Sequence, residues 1–382
     1  MKRLRVIWKV FIIGLFIPVF VCANAKTFLN YSTAEGLVHK SVNCIVGDKD
    51  GFLWIGTTNG LSRFDGYGFK NFIHSNDDDE SLRGSNIWSI CEGTGGYLWL
   101  STDAGIEYFN KRTERFQFLK VEGVNGSSFA RNMDVDENGV VWMFHPLTKF
   151  ISYDPAAKTF TNNAIKLQSL PQGETINAIY RFIVRDSVAW IATDKGIFTF
   201  DIRTGMQRCL YQPTRPFSYC YTIKQSTDER IIFTFINEGV FIVDKKTRIC
   251  TFEHNNTLMK GLPRGSVITD AVMDRDSTLW ISLVSGIASL KNGSVRYHNR
   301  YSKDNFYEGD FSTTLYIDND DNLWIGTNNN GIYLKKRRAK FSIRNRILTK
   351  TIWRTRLLKV YTCLAMVHLF IVICMGFIFV RT

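Results

Sequence analysis

The chain has 382 residues, 45% of them hydrophobic and 22% charged, with a formal net charge of +13. Sixteen of its 48 basic residues fall in residues 1–25 and 335–382, where there is no acid, which leaves 32 basic against 35 acidic residues in 26–334. The excess charge therefore belongs to the two ends, and it gives no argument for nucleic-acid binding by the middle.

The first 25 residues read as a signal peptide. Lys2, Arg3, Arg5 and Lys9 form a basic start, Val10 to Val21 a short apolar stretch, and Ala23-Asn24-Ala25 a small-x-small cleavage site. A lipid-anchored start would use Cys22, but Val21 is a poor residue before a lipidated cysteine, so ordinary cleavage before Lys26 is expected.

From Leu53 onward the dominant signal is a repeat. Trp54, Trp99, Trp142, Trp190, Trp280 and Trp324 recur at near-constant spacing, and Phe233 stands in the one vacant slot. The intervals are 45, 43, 48, 43, 47 and 44 residues. A period of about 40–45 residues matches a four-stranded propeller blade. Each unit has an apolar strand, a polar turn such as Asp48-Lys49-Asp50-Gly51 or Asp136-Glu137-Asn138-Gly139, a second strand around the tryptophan, and two further strands. Asp, Asn and Gly supply the backbone angles that such turns need. The expected fold is all-β, a seven-bladed β-propeller over residues 26–343. The tryptophans are expected to pack between blades. Phe28 to Thr33 is similar to the fourth-strand segment Phe69 to Ser75 and is expected to close the ring.

Leu53-Trp54-Ile55-Gly56-Thr57-Thr58-Asn59-Gly60-Leu61-Ser62-Arg63-Phe64-Asp65 and Leu323-Trp324-Ile325-Gly326-Thr327 resemble the two-component regulator propeller repeat. Tyr31-Ser32-Thr33-Ala34-Glu35-Gly36-Leu37 is similar to the opening of sensors built from that repeat. The resemblance covers residues 27–343 and is weaker in blade three, where His145-Pro146-Leu147-Thr148-Lys149 replaces the turn, and in blade five, which lacks its tryptophan. It implies a periplasmic sensor region of a hybrid histidine kinase of the kind typical of gut Bacteroidota. The implied ligand is a glycan or oligosaccharide, and the implied protein partner a kinase-bearing sensor chain or a second copy. None of the six histidines has the context of a phosphoacceptor, and no ATP-binding or receiver segment is present, so the sequence supports sensing without phosphorylation.

Counting back from each tryptophan places two variable residues between apolar ones. The first is Asn43, Trp88, Arg131, Asn177, Tyr221, Thr269 and Thr313, with blade four counted in a shifted register. The second is Cys44, Ser89, Asn132, Ala178, Thr222, Asp270 and Thr314, mostly small. A position that repeats in space but varies in identity is a candidate recognition ring. Trp88 and Tyr221 could stack on sugars, while Arg131, Asn43 and Asn177 could bond hydroxyls or carboxylates. The alternative is a solvated channel lining.

No catalytic residue, cofactor or metal site is expected. No nucleophile elbow, phosphate-binding glycine loop or zinc motif is present. Asp318-Asn319-Asp320-Asp321-Asn322 is acidic enough to suggest a calcium loop, yet it lacks the bidentate Glu and reads as a turn. Five cysteines lie in the propeller: Cys44, Cys91, Cys209, Cys220 and Cys250. Their odd number argues against a disulfide framework, although Cys209 and Cys220 flank one loop and are a candidate pair.

Residues 344–360 form a basic linker, and 361–380 are apolar over a length that can cross a bilayer as a transmembrane helix. Eleven basic residues precede this segment and only Arg381 follows, against the positive-inside preference for an exported propeller. Two readings compete: an anchor in the inner membrane, or the out-of-frame end of a longer sensor gene, which the abrupt loss of acids favours.

Overall fold

A computed structural model describes residues 28–337, apart from 122–132, 146–148, 164–175, 177, 214–216, 218, 227–228, 237, 252–259 and 300–310. The signal segment and residues 338–382 lie outside the described residues, and with them the linker and the apolar segment 361–380. Among the described residues no helix is long and apolar enough to cross a membrane.

Strand β1 (Leu29–Tyr31) comes first. Blade one then holds β2 (Val42–Gly47), β3 (Leu53–Thr57), β4 (Gly60–Phe64) and β5 (Phe69–Phe72). Blade two holds β6 (Ile87–Glu92), β7 (Tyr97–Thr102), β8 (Ile106–Asn110) and β9 (Arg115–Leu119). Blade three holds β10 (Met133–Val135), β11 (Val141–His145), β12 (Lys149–Asp154) and β13 (Thr159–Asn163). Blade four holds β14 (Ile179–Arg185), β15 (Val188–Thr193), β16 (Gly196–Asp201) and β17 (Gln207–Tyr211). Blade five holds β18 (Cys220–Gln225), β19 (Arg230–Phe235), β20 (Gly239–Asp244) and β21 (Cys250–Thr251). Blade six holds β22 (Ile268–Met273), β23 (Leu279–Leu283), β24 (Gly286–Lys291) and β25 (Ser294–His298). Blade seven holds β26 (Ser312–Ile317), β27 (Leu323–Thr327) and β28 (Ile332–Lys335).

Each blade is a four-stranded antiparallel meander, and the seventh is completed by the N-terminus in the order β26-β27-β28-β1. Leu29 pairs with Leu334 and Tyr31 with Ile332. Phe28, just ahead of this strand, is fully buried beside Trp280, Leu315 and Tyr333. The ring is thus closed by non-covalent pairing of the two chain ends, as the sequence similarity of 28–33 to an outer strand predicts.

The tryptophans fill the wedges between blades. Trp54 packs on the next blade's Ile87, Leu100 and Phe109, Trp99 on Val135, Val141 and Met143, and Trp324 on Ile45, Leu53 and Phe64. In four blades a turn aspartate six residues earlier holds the indole. Asp48 accepts the backbone N–H groups of Asp50 and Phe52 on one oxygen and Trp54 Nε1 on the other, at 2.8 Å. Asp136, Asp274 and Asp318 do the same for Trp142, Trp280 and Trp324. One carboxylate therefore shapes the hairpin and satisfies a buried indole N–H, which would be costly to leave unmade. The Asp318 loop is such a turn. Asp-x5-Trp was a readable spacing that the sequence analysis treated only as turn chemistry.

Blade five departs from the expected register. Thr234 pairs with Thr222 as Gly56 does with Cys44, so Ile232 occupies the tryptophan slot and Phe233 the next one. Ile232 faces blade six, as a tryptophan there would, while Phe233 is turned toward blade four and packs with Trp190 and Phe217. The reason is the side-chain period of two, by which a shift of one residue exchanges the faces of a strand. The candidate pair Cys209–Cys220 is not bonded; both thiols are free, Cys209 exposed and Cys220 buried.

Candidate functional site

The seven inner strands surround a channel of 420 Å³. Among the described residues six of them begin with a bulge, and the bulged residues are Asn43, Trp88, Tyr180, Tyr221, Thr269 and Thr313. A bulge adds one residue and re-aims its side chain, which is why this position stands apart from the strand alternation. Five of the seven sequence-predicted ring residues sit at this place. In blade four the register gives it to Tyr180 rather than Asn177, because Asp186 and Ser187 (φ 52 and 59) make a two-residue hairpin turn shorter than the aspartate turns elsewhere. Asn177 and Arg131 lie outside the described residues.

The bulged residues divide by chemistry. Asn43 donates from Nδ2 to the Ile87 carbonyl at 2.9 Å and to Asn86 Oδ1 at 2.8 Å. Thr269 Oγ1 donates to the Ser312 carbonyl at 2.9 Å, and Thr313 Oγ1 to the Val42 carbonyl at 2.6 Å. In each case the acceptor directly precedes the next blade's bulge, so this position stitches neighbouring blades. Thr269 is buried and is not on the channel wall. Asn43, Trp88, Tyr221 and Thr313 do line the channel.

Blades four and five gather an aromatic group that the sequence count missed. Tyr219 lies 5.3 Å from Tyr180 and 5.7 Å from Tyr221 between ring centroids. Arg181, which is buried, places its guanidinium 5.2 Å from the Tyr219 ring and donates to Tyr219 Oη at 2.8 Å and the Tyr221 carbonyl at 3.0 Å. Counting blade four with its short turn would have brought Tyr180 into the ring.

Two charged clamps brace the wall, Asp134 on it and Asp270 buried behind it. Asp270 accepts from Thr222 Oγ1 at 2.9 Å, Leu315 N at 2.7 Å, Thr314 Oγ1 at 3.2 Å and Lys224 Nζ, so it joins blades five, six and seven. Asp134 accepts from Val184 N at 2.7 Å and Arg185 Nη1 at 2.6 Å, joining blades three and four. Burial raises the Asp134 carboxyl above the ordinary range, and Arg185 opposes that. The wall of blades one and two is different: Cys44, Val46, Trp88, Ile90 and Cys91 give an apolar surface. Burial raises the Cys91 thiol, which disfavours the thiolate needed for nucleophilic attack. No histidine lines the channel among the described residues. Away from the lining residues, Asp48 and Asp50 of blade one converge with Glu92 of blade two, and Lys111 Nζ is bonded to all three.

The two-component regulator propeller family matches residues 36–59 and 307–329. The first and last blades are therefore repeats of that kind. A histidine kinase of Formosa agariphila is 40% identical over 55 residues, which is 14% of this chain and 4% of that protein. Among solved structures, the extracellular domain of a putative one-component system of B. thetaiotaomicron superposes with a TM-score of 0.63 at 18% identity, covering 82% of this chain and 41% of that one. The extracellular domain of a putative hybrid two-component system of the same organism gives 0.62 at 20% identity, covering 81% and 42%. A streptogramin B lyase gives 0.59 at 13% identity, covering 80% and 96%. At these identities the likeness shows the fold. The chain spans about four-tenths of the two extracellular domains. The chain is a seven-bladed propeller whose fold resembles the extracellular domains of putative one-component and hybrid two-component systems.

Proposed function

We propose that this propeller is the periplasmic ligand-sensing part of a hybrid two-component system and that its ligand is an oligosaccharide held at the channel. The observation that carries the reading is the asymmetric wall. Trp88 stands on an apolar side, and Tyr221, packed against Tyr219, stands with Arg181 on the other. Aromatic faces with polar groups beside them suit sugar rings, and the channel volume lies in the range of small-molecule sites, ~300–1,000 Å³. Hydrolysis or elimination would need a free acid or base, whereas Asp134 and Asp270 are committed to cations and backbone N–H groups. Sensing without catalysis is the better fit. Output requires a kinase, supplied by a kinase-bearing partner chain.

The test is a thermal-shift screen with dietary and host glycan oligosaccharides, followed by calorimetry on Trp88→Ala and Tyr221→Ala. Loss of one central aromatic is expected to weaken binding by roughly thirtyfold, about 2 kcal/mol. Unchanged affinity in both, with melting like the unmodified chain, would move the site to the loops joining blades.

A further inference from the structure

The outer wedge between blades four and five differs from its counterpart between blades one and two in one charge. In blade one, Trp54 is paired across the sheet with Arg63 and Arg63 with Lys70. Glu114, in the outer turn of blade two at φ 56, reaches back and bonds Arg63 at 3.2 Å and Lys70. Two cations are thereby satisfied by a carboxylate from the next blade.

In blade four the same ladder runs Trp190, Thr199, Arg208. The residue at the place of Glu114 is Arg248, at φ 63 in the equivalent turn of blade five. Its guanidinium lies 4.5 Å from the Trp190 ring. Among the described residues, neither Arg208 nor Arg248 is bonded to a carboxylate. Asp201 also lines this cleft, but its Oδ1 accepts the backbone N–H groups of Arg203 and Thr204 in its own turn. Burial, and then the charge of Arg208, lower the proton affinity of Arg248, while Asp201 and Asp186 act against the shift without reversing it.

We propose that this cleft binds a small ligand through its carboxylate group, with Arg208 and Arg248 as the paired cations. The ligand's carboxylate takes the place that Glu114 fills between blades one and two. A guanidinium lying on an aromatic face keeps its N–H edge for a planar oxyanion, which favours a carboxylate. Val188 and Met206 supply apolar walls and Thr199 a hydroxyl. The cleft volume of 180 Å³ is below the ~300–1,000 Å³ of drug-sized sites, so the ligand is a sugar acid or a similar small acid rather than an oligosaccharide.

The experiment measures the melting temperature of the full chain against sodium D-glucuronate at constant ionic strength, with D-glucose and sodium sulfate as the other arms. Glucuronate is expected to stabilise the protein saturably, glucose to have no effect, and sulfate to act more weakly. Arg248→Glu installs the blade-two arrangement beside Arg208. It should weaken glucuronate by about tenfold or more without lowering the melting temperature of the free protein. Arg208→Gln should weaken it by a similar factor and provides the reading if Arg248→Glu fails to fold. Trp88→Ala, in the channel, should leave the response intact. Equal stabilisation by sulfate, an unchanged response in both arginine variants, or loss of the response in Trp88→Ala would each overturn the proposal.

Discussion

Replacing Asp270 by alanine should be among the most damaging single changes behind the channel wall. The carboxylate has no exposed surface and serves four partners on blades five and seven: Thr222, Lys224, Thr314 and the Leu315 N–H. Its removal leaves Lys224 bonded to the Leu315 carbonyl, at 2.6 Å, without its counter-charge, and strands a buried backbone donor. Breaking a buried ion pair from one side costs about 3–5 kcal/mol, largely through the charge left behind. At about 2–4 °C per kcal/mol for a domain near this size, the melting temperature should fall by roughly 6–20 °C. The double variant Asp270→Ala with Lys224→Met removes the stranded charge and should recover part of the loss, so the two changes should be non-additive by more than about 1 kcal/mol. Urea unfolding of the four proteins in that cycle measures this directly. Strict additivity, or a loss below about 1 kcal/mol for Asp270→Ala, would refute the view that this carboxylate ties three blades together.

Trp99→Ala should lower stability by ~3–5 kcal/mol in a melt, because a buried indole between blades two and three leaves a cavity. Phe28→Ala should cost a similar ~3–5 kcal/mol and should speed protease cutting of the N-terminus, since it loosens the strand that closes the ring. Glu114→Gln tests the blade one and two template. The hydrogen bond from Lys70, with Arg63, holds the Glu114 carboxyl below its ordinary value of 4.5. Its contribution is therefore present above that value and lost as pH falls through the lower folded value. The pair is partly exposed, so the variant should be less stable by at most about 1 kcal/mol at neutral pH, with the difference closing below about pH 4 in a pH-dependent melt.

The sequence by itself determined the number of blades, the burial of the tryptophans and the use of the N-terminal strand to close the ring. These follow from a repeat whose period is the length of one blade, because each blade can bury its faces only against a neighbour. It also located the bulge position in five blades, since an interruption between two apolar residues is visible wherever the preceding turn has a constant length. Only the tertiary structure decided what that position does. Asn43, Thr269 and Thr313 spend their polar groups on the next blade's carbonyls, a pairing between residues more than forty apart that no local pattern encodes. Tyr180 was hidden because the short turn of blade four changes the count by one residue, and Ile232 because the aromatic Phe233 beside it looks like the tryptophan substitute; in a strand one residue exchanges the two faces. Arg208 and Arg248 were hidden for a different reason: they belong to neighbouring blades and meet only when those blades pack, so their lack of a carboxylate exists in space and not along the chain.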